Sequence, residues 1–215
     1  FLFMISPMNK IERHLVGNVS GIFFLSGISA LIYQVSWQRL LFLSFGIDLT
    51  SITITVSAFM AGLGIGAFYG GRIADRNPKH ILLIFCLLEL FISIYGFLSR
   101  PAILYLQDVL IHSNIYVTSL GIFLFLLPPT FLMGSTLPLL TSFINSIVKN
   151  IGSSIGKLYF INTLGAVFGC IATGFILFTY LKLSEAIHIA ALINLIVSIF
   201  AYFIYIGVKK GSKHA

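Results

Sequence analysis

The sequence predicts an all-α integral membrane protein with six transmembrane helices and both termini in the cytoplasm. Three observations carry that prediction: an apolar composition, long stretches almost free of charge, and a one-sided distribution of lysine and arginine. Hydrophobic residues make up 58% of the 215 and charged residues only 9%, with a mean hydropathy of +1.04. Soluble domains hold about 25% charged residues, so a water-soluble globular fold is excluded.

The helices follow from the gaps between charges, since roughly 20 apolar residues cross a hydrocarbon core of about 30 Å. The first, at 18–43, lies on the charge-free run from His14 to Gln38. That run is too long for a signal-peptide core of about 7–15 residues, so it reads as a retained helix. The second, at 50–71, lies on Leu49 to Gly71, and the third, at 80–98, is interrupted only by Glu89. The more polar segment from Pro101 to Ile115 is expected at the membrane interface. The fourth helix, 117–145, contains Pro128, Pro129 and Pro138, and a kink or break is expected there. The fifth and sixth, at 155–180 and 186–208, lie on the charge-free runs Leu158 to Leu181 and Ala186 to Val208. Residues 1–17 then form a short cytoplasmic segment, 18–208 the membrane domain and 209–215 a basic cytoplasmic tail.

With this layout ten lysines and arginines fall on one side: Lys10, Arg13, Arg72, Arg76, Lys79, Lys149, Lys157, Lys209, Lys210 and Lys213. Only Arg39, Arg100 and Lys182 fall on the other. Basic loops stay inside, which places both termini in the cytoplasm. The net charge of +7 then belongs to an anionic lipid surface rather than to nucleic acid. Cys86 and Cys170 both lie inside expected helices and have neither disulfide nor metal spacing. The five histidines are scattered. No catalytic grouping, metal site or cofactor site emerges.

Small residues recur at helical spacing. Ala58, Gly62, Gly66 and Gly70 share one face of the second helix, and Gly165 and Gly169 one face of the fifth. Residues four apart lie together on a helix, so these grooves admit another helix at close range. The glycines of "GLGIGAFYG" and "GSSIGKL" do not make a dinucleotide or phosphate loop, because the strand context and spacing are missing.

Polar residues inside spans are costly and face protein or water. The candidates for substrate binding are Glu89 in the third helix, Tyr33, Gln34, Trp37 and Arg39 in the first, and Asn162 in the fifth. Glu89 needs a partner from another helix, with Arg39, Lys157 or a tyrosine hydroxyl as candidates. Trp37 and Arg39 also fit the interfacial end of the first helix, where aromatic and basic residues settle.

"GGRIADRNPKH", from Gly70 to His80, reads as a short cytoplasmic loop between the second and third helices. Gly71, Asp75, Arg76 and Lys79 resemble the signature loop of the major facilitator superfamily, although Asn77-Pro78 departs from its x-Gly-Arg. The resemblance implies that Asp75 and Arg76 take part in a charge relay that locks one transporter state. Five blocks, "FFLSGISALIYQVSWQRLLFLSFG", "AFMAGLGIGAFYGGRIADR", "LLELFISIYGFLS", "LLPPTFLMGSTLPLL" and "IGKLYFINTLGAVFGCIATGFIL", resemble in order the membrane half of the bacterial fused major-facilitator/spermidine-synthase-like proteins. There, a membrane region precedes a soluble aminopropyltransferase-like domain, which has no counterpart among these 215 residues.

The resemblance implies a six-helix half of a major facilitator fold, made of two inverted three-helix repeats. "FMAGLG" from Phe59 and "FINTLG" from Phe160 are the matching segments. It further implies a module of the bacterial inner membrane that is non-catalytic alone and serves as subunit or anchor for a soluble synthase-like partner. Two alternatives stand beside it. One is a homodimeric carrier of a small, cationic solute, with a second copy supplying the other half. The other is an accessory subunit of a larger membrane complex.

Overall fold

The structure, a computed structural model, describes residues 9–46, 48–110 and 112–211. The described residues form helices without strands: α1 (Lys10–Phe45), α2 (Asp48–Arg76), α3 (Ile81–Leu110) and α4 (Ile115–Val148) come first. Then follow α5 (Ile151–Tyr180) and α6 (Leu183–Gly211). All six are long and apolar enough to cross a membrane, and the chain is a multi-pass helical membrane protein.

Most helices outrun the expected spans. α1 starts at Lys10 rather than 18, so residues 10–17 are helical and not a separate segment. Its 36 residues extend about 54 Å at 1.5 Å each, well beyond the hydrocarbon core. At the other end, α6 absorbs Lys209 and Lys210 of the expected tail, and 212–215 lie outside the described residues. Polar caps set several boundaries. The Glu12 carboxylate accepts from the Asn9 N–H at 2.9 Å. Asn114 and Asn150 accept from the N–H groups of Val117 and Ser153 at 2.9 and 3.0 Å. α1 ends at Gly46 (φ 70°), whose N–H reaches the Phe42 carbonyl at 2.8 Å.

Two proline-bearing stretches stay helical. α3 runs through Pro101 to Leu110, with Ile103 fully buried in the core, so the polar segment expected at the interface continues the helix as far as Leu110. α4 is continuous from Ile115 to Val148 and does not break at its prolines. A proline lacks the N–H that the carbonyl four residues earlier needs, and in lipid that carbonyl must find another donor. For Pro129 the orphan is the Phe125 carbonyl, and the Tyr95 hydroxyl of α3 donates to it. Next to the pair, the Thr130 hydroxyl lies 2.8 Å from the Leu126 carbonyl and 3.2 Å from that of Ala58 on α2. Tyr95→Phe keeps the ring packing and removes the donor; it is expected to lower stability by about 1–2 kcal/mol, measured by thermal unfolding in detergent.

The "GGRIADRNPKH" segment is mostly helix, contrary to the expected loop. α2 continues to Arg76, and only Asn77–His80 connects it to α3. Gly70 is not at a turn but inside α2, where a Cβ would press on Ser135 and Pro138 of α4. Near its far end, α5 widens into a π-turn at Thr173–Leu177, with the buried Thr173 hydroxyl donating to the Gly169 carbonyl at 2.7 Å.

Packing follows an exchange pattern. The extensive helix pairs are α2 on α4, α1 on α5, α3 on α6, α1 on α6 and α3 on α4. Swapping the first three helices for the last three maps this set onto itself. Individual glycines obey the same swap. Gly66 packs on Phe131 as Gly165 packs on Phe24; Gly134 packs on Leu63 as Gly27 packs on Asn162; Gly70 meets Ser135 as Gly169 meets Ile28. One fixed shift relates α1 to α4 and another relates α2 to α5 through all three correspondences. In that register Phe59 is equivalent to Leu158, two residues from the match to Phe160. The small-residue grooves of α2 and α5 are thus filled from within the chain, with Gly62 set against Thr130 and Ala58 fully buried.

Two apolar clusters make up most of the core. One gathers around Tyr33, Trp37, Phe59, Ile92 and Leu126. The other gathers around Phe23, Phe85, Leu140, Leu158 and Val197. Along α1, α3, α4 and α6 alike, the residues between the clusters include polar ones: Ser26 and Ser29, Glu89, Thr136, and Asn194. A polar layer therefore crosses the bundle between two apolar layers.

Candidate functional site

Glu89 is the centre of that layer. The carboxyl is fully buried and held from two sides: the Ser26 hydroxyl of α1 donates to Oε1 at 2.6 Å, and Asn194 Nδ2 of α6 donates to Oε2 at 2.8 Å. Neither Arg39 nor Lys157 reaches it, so the expected ionic partners are replaced by a hydroxyl and an amide. Such neutral donors satisfy a buried acceptor but supply no compensating charge.

The α3–α6 seam continues the polar contacts in both directions. Ser198 donates to the Cys86 carbonyl at 2.9 Å and Ser93 to the Ala191 carbonyl at 2.7 Å. These bonds run antiparallel along the two helices, with Glu89 and Asn194 between them. The seam is therefore pinned on either side of the carboxyl, and Glu89 sits on rigid elements rather than on a loop.

Ser26 and Asn194 also line a cavity of about 100 Å³, together with Ser29, Gln34, Thr136 and Asn162. Asn194 is almost completely buried, and its Oδ1 has no hydrogen-bond partner. Since a buried acceptor left unpaired costs about 1–3 kcal/mol, this atom calls for a donor that is not among the described side chains.

The structure sorts the sequence candidates. Gln34 and Asn162 are half-buried and border the cavity. Tyr33 is fully buried, with its hydroxyl unpaired and pressed on Gly96, two turns beyond Glu89 on α3. Trp37 faces into the bundle: it is fully buried, stacks on Tyr33 at 4.7 Å between ring centroids, and donates Nε1–H to the Ser99 hydroxyl at 2.9 Å. Arg39 is exposed, its guanidinium 4.7 Å from the centre of the Phe178 ring on α5, and it takes no part in the site. Asp75, Arg76 and Lys79 are exposed and Gly71 half-buried at the end of α2 and the turn after it. Nearby Arg72 lies over the Phe68 ring at 4.0 Å.

Ser26 and Asn194 were missed by sequence reasoning. Asn194 carried a signal, since it is the one amide in the run from Ala186 to Val208. Serine is common in membrane helices, where its hydroxyl can bond its own backbone, so Ser26 carried none. Comparison with protein-family models, with curated proteins and with solved structures finds no match for this chain.

Proposed function

We propose that the chain is the membrane module of a spermidine-synthase-like system, built as one half of a major facilitator fold and non-catalytic by itself. The exchange pattern of helix packing supports the facilitator-like half of this reading. Two inverted three-helix repeats of such a half require α2 on α4 to correspond to α5 on α1, and α1 on α6 to α4 on α3, as observed. The five sequence blocks point to the same kind of protein. The proposed setting is a bacterial inner membrane, with both termini and ten of thirteen basic residues on the cytoplasmic side. There the module would dock or anchor a soluble synthase-like subunit.

Native mass spectrometry after gentle extraction from the native membrane tests this reading. A complex with a soluble aminopropyltransferase-like subunit is expected; a chain that never carries such a partner overturns it.

The cavity beside Glu89 favours a second reading, a homodimeric carrier of a small cation. A buried carboxyl between membrane helices, bordered by a polar cavity, marks a solute or ion path. Glu89→Gln keeps the size and most of the hydrogen bonding while removing the charge. It is expected to lower amine uptake into proteoliposomes at least tenfold. Uptake equal to the wild type would remove Glu89 from the path.

A further inference from the structure

We propose that the polar layer is a binding site for the ammonium group of a small primary amine, and that Asn194 sets its selectivity. This deepens the carrier reading and rests on it for the direction of use, although binding itself can be measured apart from transport.

The argument is one of unspent donors and acceptors. Of the donors around Glu89, the Ser26 hydroxyl is committed to Oε1 and one N–H of Asn194 Nδ2 to Oε2, while the Gln34 and Asn162 amides at the cavity wall each offer both a donor and an acceptor group. Glu89 does not itself line the cavity, so its charge acts on a ligand there through Ser26 and Asn194, which do. Asn194 Oδ1 is buried with no partner. The Ser29 hydroxyl, donating to the Ser26 carbonyl at 2.9 Å, keeps its own lone pairs.

A site with spare acceptors and a buried carboxyl selects a cation rich in N–H donors. A primary ammonium has three donors and one charge. Asn194 is placed to act as a bridge, with Nδ2 on the carboxyl and Oδ1 free for the incoming N–H. Charge on either side polarises the amide in the same sense, so the two bonds strengthen each other.

The rest of the cavity suits a short alkyl chain. Beside its polar rim it is lined by Phe59, Leu63 and Met133, which offer apolar contact to methylene groups. A quaternary ammonium has no N–H for Asn194 Oδ1. It is normally recognised by a cage of aromatic rings, and the cavity lining holds a single aromatic, Phe59.

The test is ligand binding to the purified, detergent-solubilised wild-type chain by calorimetry, with n-butylamine, tetramethylammonium and sodium as probes. Saturable binding of butylamine at least tenfold tighter than tetramethylammonium is expected, with sodium failing to compete. Glu89→Gln is expected to weaken butylamine binding at least tenfold. Asn194→Leu is expected to lose the preference over tetramethylammonium. Equal affinity for the two organic cations, displacement by sodium at similar concentration, or no saturable binding to the wild type overturns the proposal without reference to any variant. Butylamine binding with these properties but no amine uptake overturns the carrier reading and supports the site. Uptake that persists unchanged in Glu89→Gln overturns the site and leaves a carrier that works elsewhere.

Discussion

Gly66→Leu is expected to yield no monodisperse protein, while Gly64→Leu, two residues away, purifies like the wild type. At Gly66 a Cβ would collide with the backbone carbonyl of Phe131, and the Cα of Gly134 lies 3.1 Å from the same point. Both obstacles are main chain on α4, so no side-chain rotation relieves them. α2 and α4 would have to separate along their length, and with them the contacts of Gly62 on Thr130 and Gly70 on Ser135. Overpacking in cores costs typically about 1–3 kcal/mol where side chains can give; backbone against backbone sets a higher cost. Lipid-embedded helices are held together chiefly by close packing, so little remains once the groove is closed. At Gly64 nothing lies within 4 Å of the added atom. By the exchange pattern Gly165→Leu, which meets the Phe24 carbonyl, is expected to behave like Gly66→Leu. Size-exclusion profiles of the three variants beside the wild type check the prediction, and a folded Gly66→Leu would show that α2 and α4 tolerate separation.

Trp37→Ala is expected to be the most damaging truncation of a single side chain, at about 3–5 kcal/mol. The indole stacks on Tyr33, meets Tyr95 edge-on at 6.1 Å and Phe59 at 6.2 Å. Its N–H is tied to Ser99, whose hydroxyl in turn donates to the Gly96 carbonyl at 2.8 Å. In a bilayer the gain from leaving water is already made by insertion, so the loss is one of dispersion contacts and of an empty volume. Trp37→Phe retains much of the ring contact and frees Ser99, so about 1–2 kcal/mol is expected. Equilibrium unfolding in mixed detergent micelles separates the two. Equal losses for both variants would place the effect in the hydrogen bond rather than in the packing.

Trp37 also shows where the sequence is readable and where it is not. Aromatic Trp37 and basic Arg39 stand two residues apart, which suggests a shared interfacial position. Two residues on a helix are about 200° apart, so one side chain points into the bundle and the other away from it, as found. The number and order of the six helices were legible because charge is so costly in lipid. Their ends were not: Lys10 to Gly17 and Pro101 to Leu110 are helical through caps and packing that apolar counts do not register. Glu89 stood out as a lone acid in an apolar run. Its partners did not, since Ser26 and Asn194 lie 63 and 105 residues away in sequence, and only the crossing of α1, α3 and α6 brings them together.

Every extensive helix contact joins one of the first three helices to one of the last three, and this has a consequence for synthesis. Helices inserted in the order of translation meet their partners late: α2 waits for α4, and α1 for α5 and α6. The amino-terminal three helices alone would stand in the bilayer with the glycine groove of α2 open and the Glu89 carboxyl lacking its amide. Such an intermediate suits capture by membrane chaperones or proteases, and premature termination after α3 would be punished rather than tolerated. Because the partnership is between halves, a chain cut between Leu110 and Ile115 and produced as two pieces should still assemble, each piece supplying the surface that the other lacks.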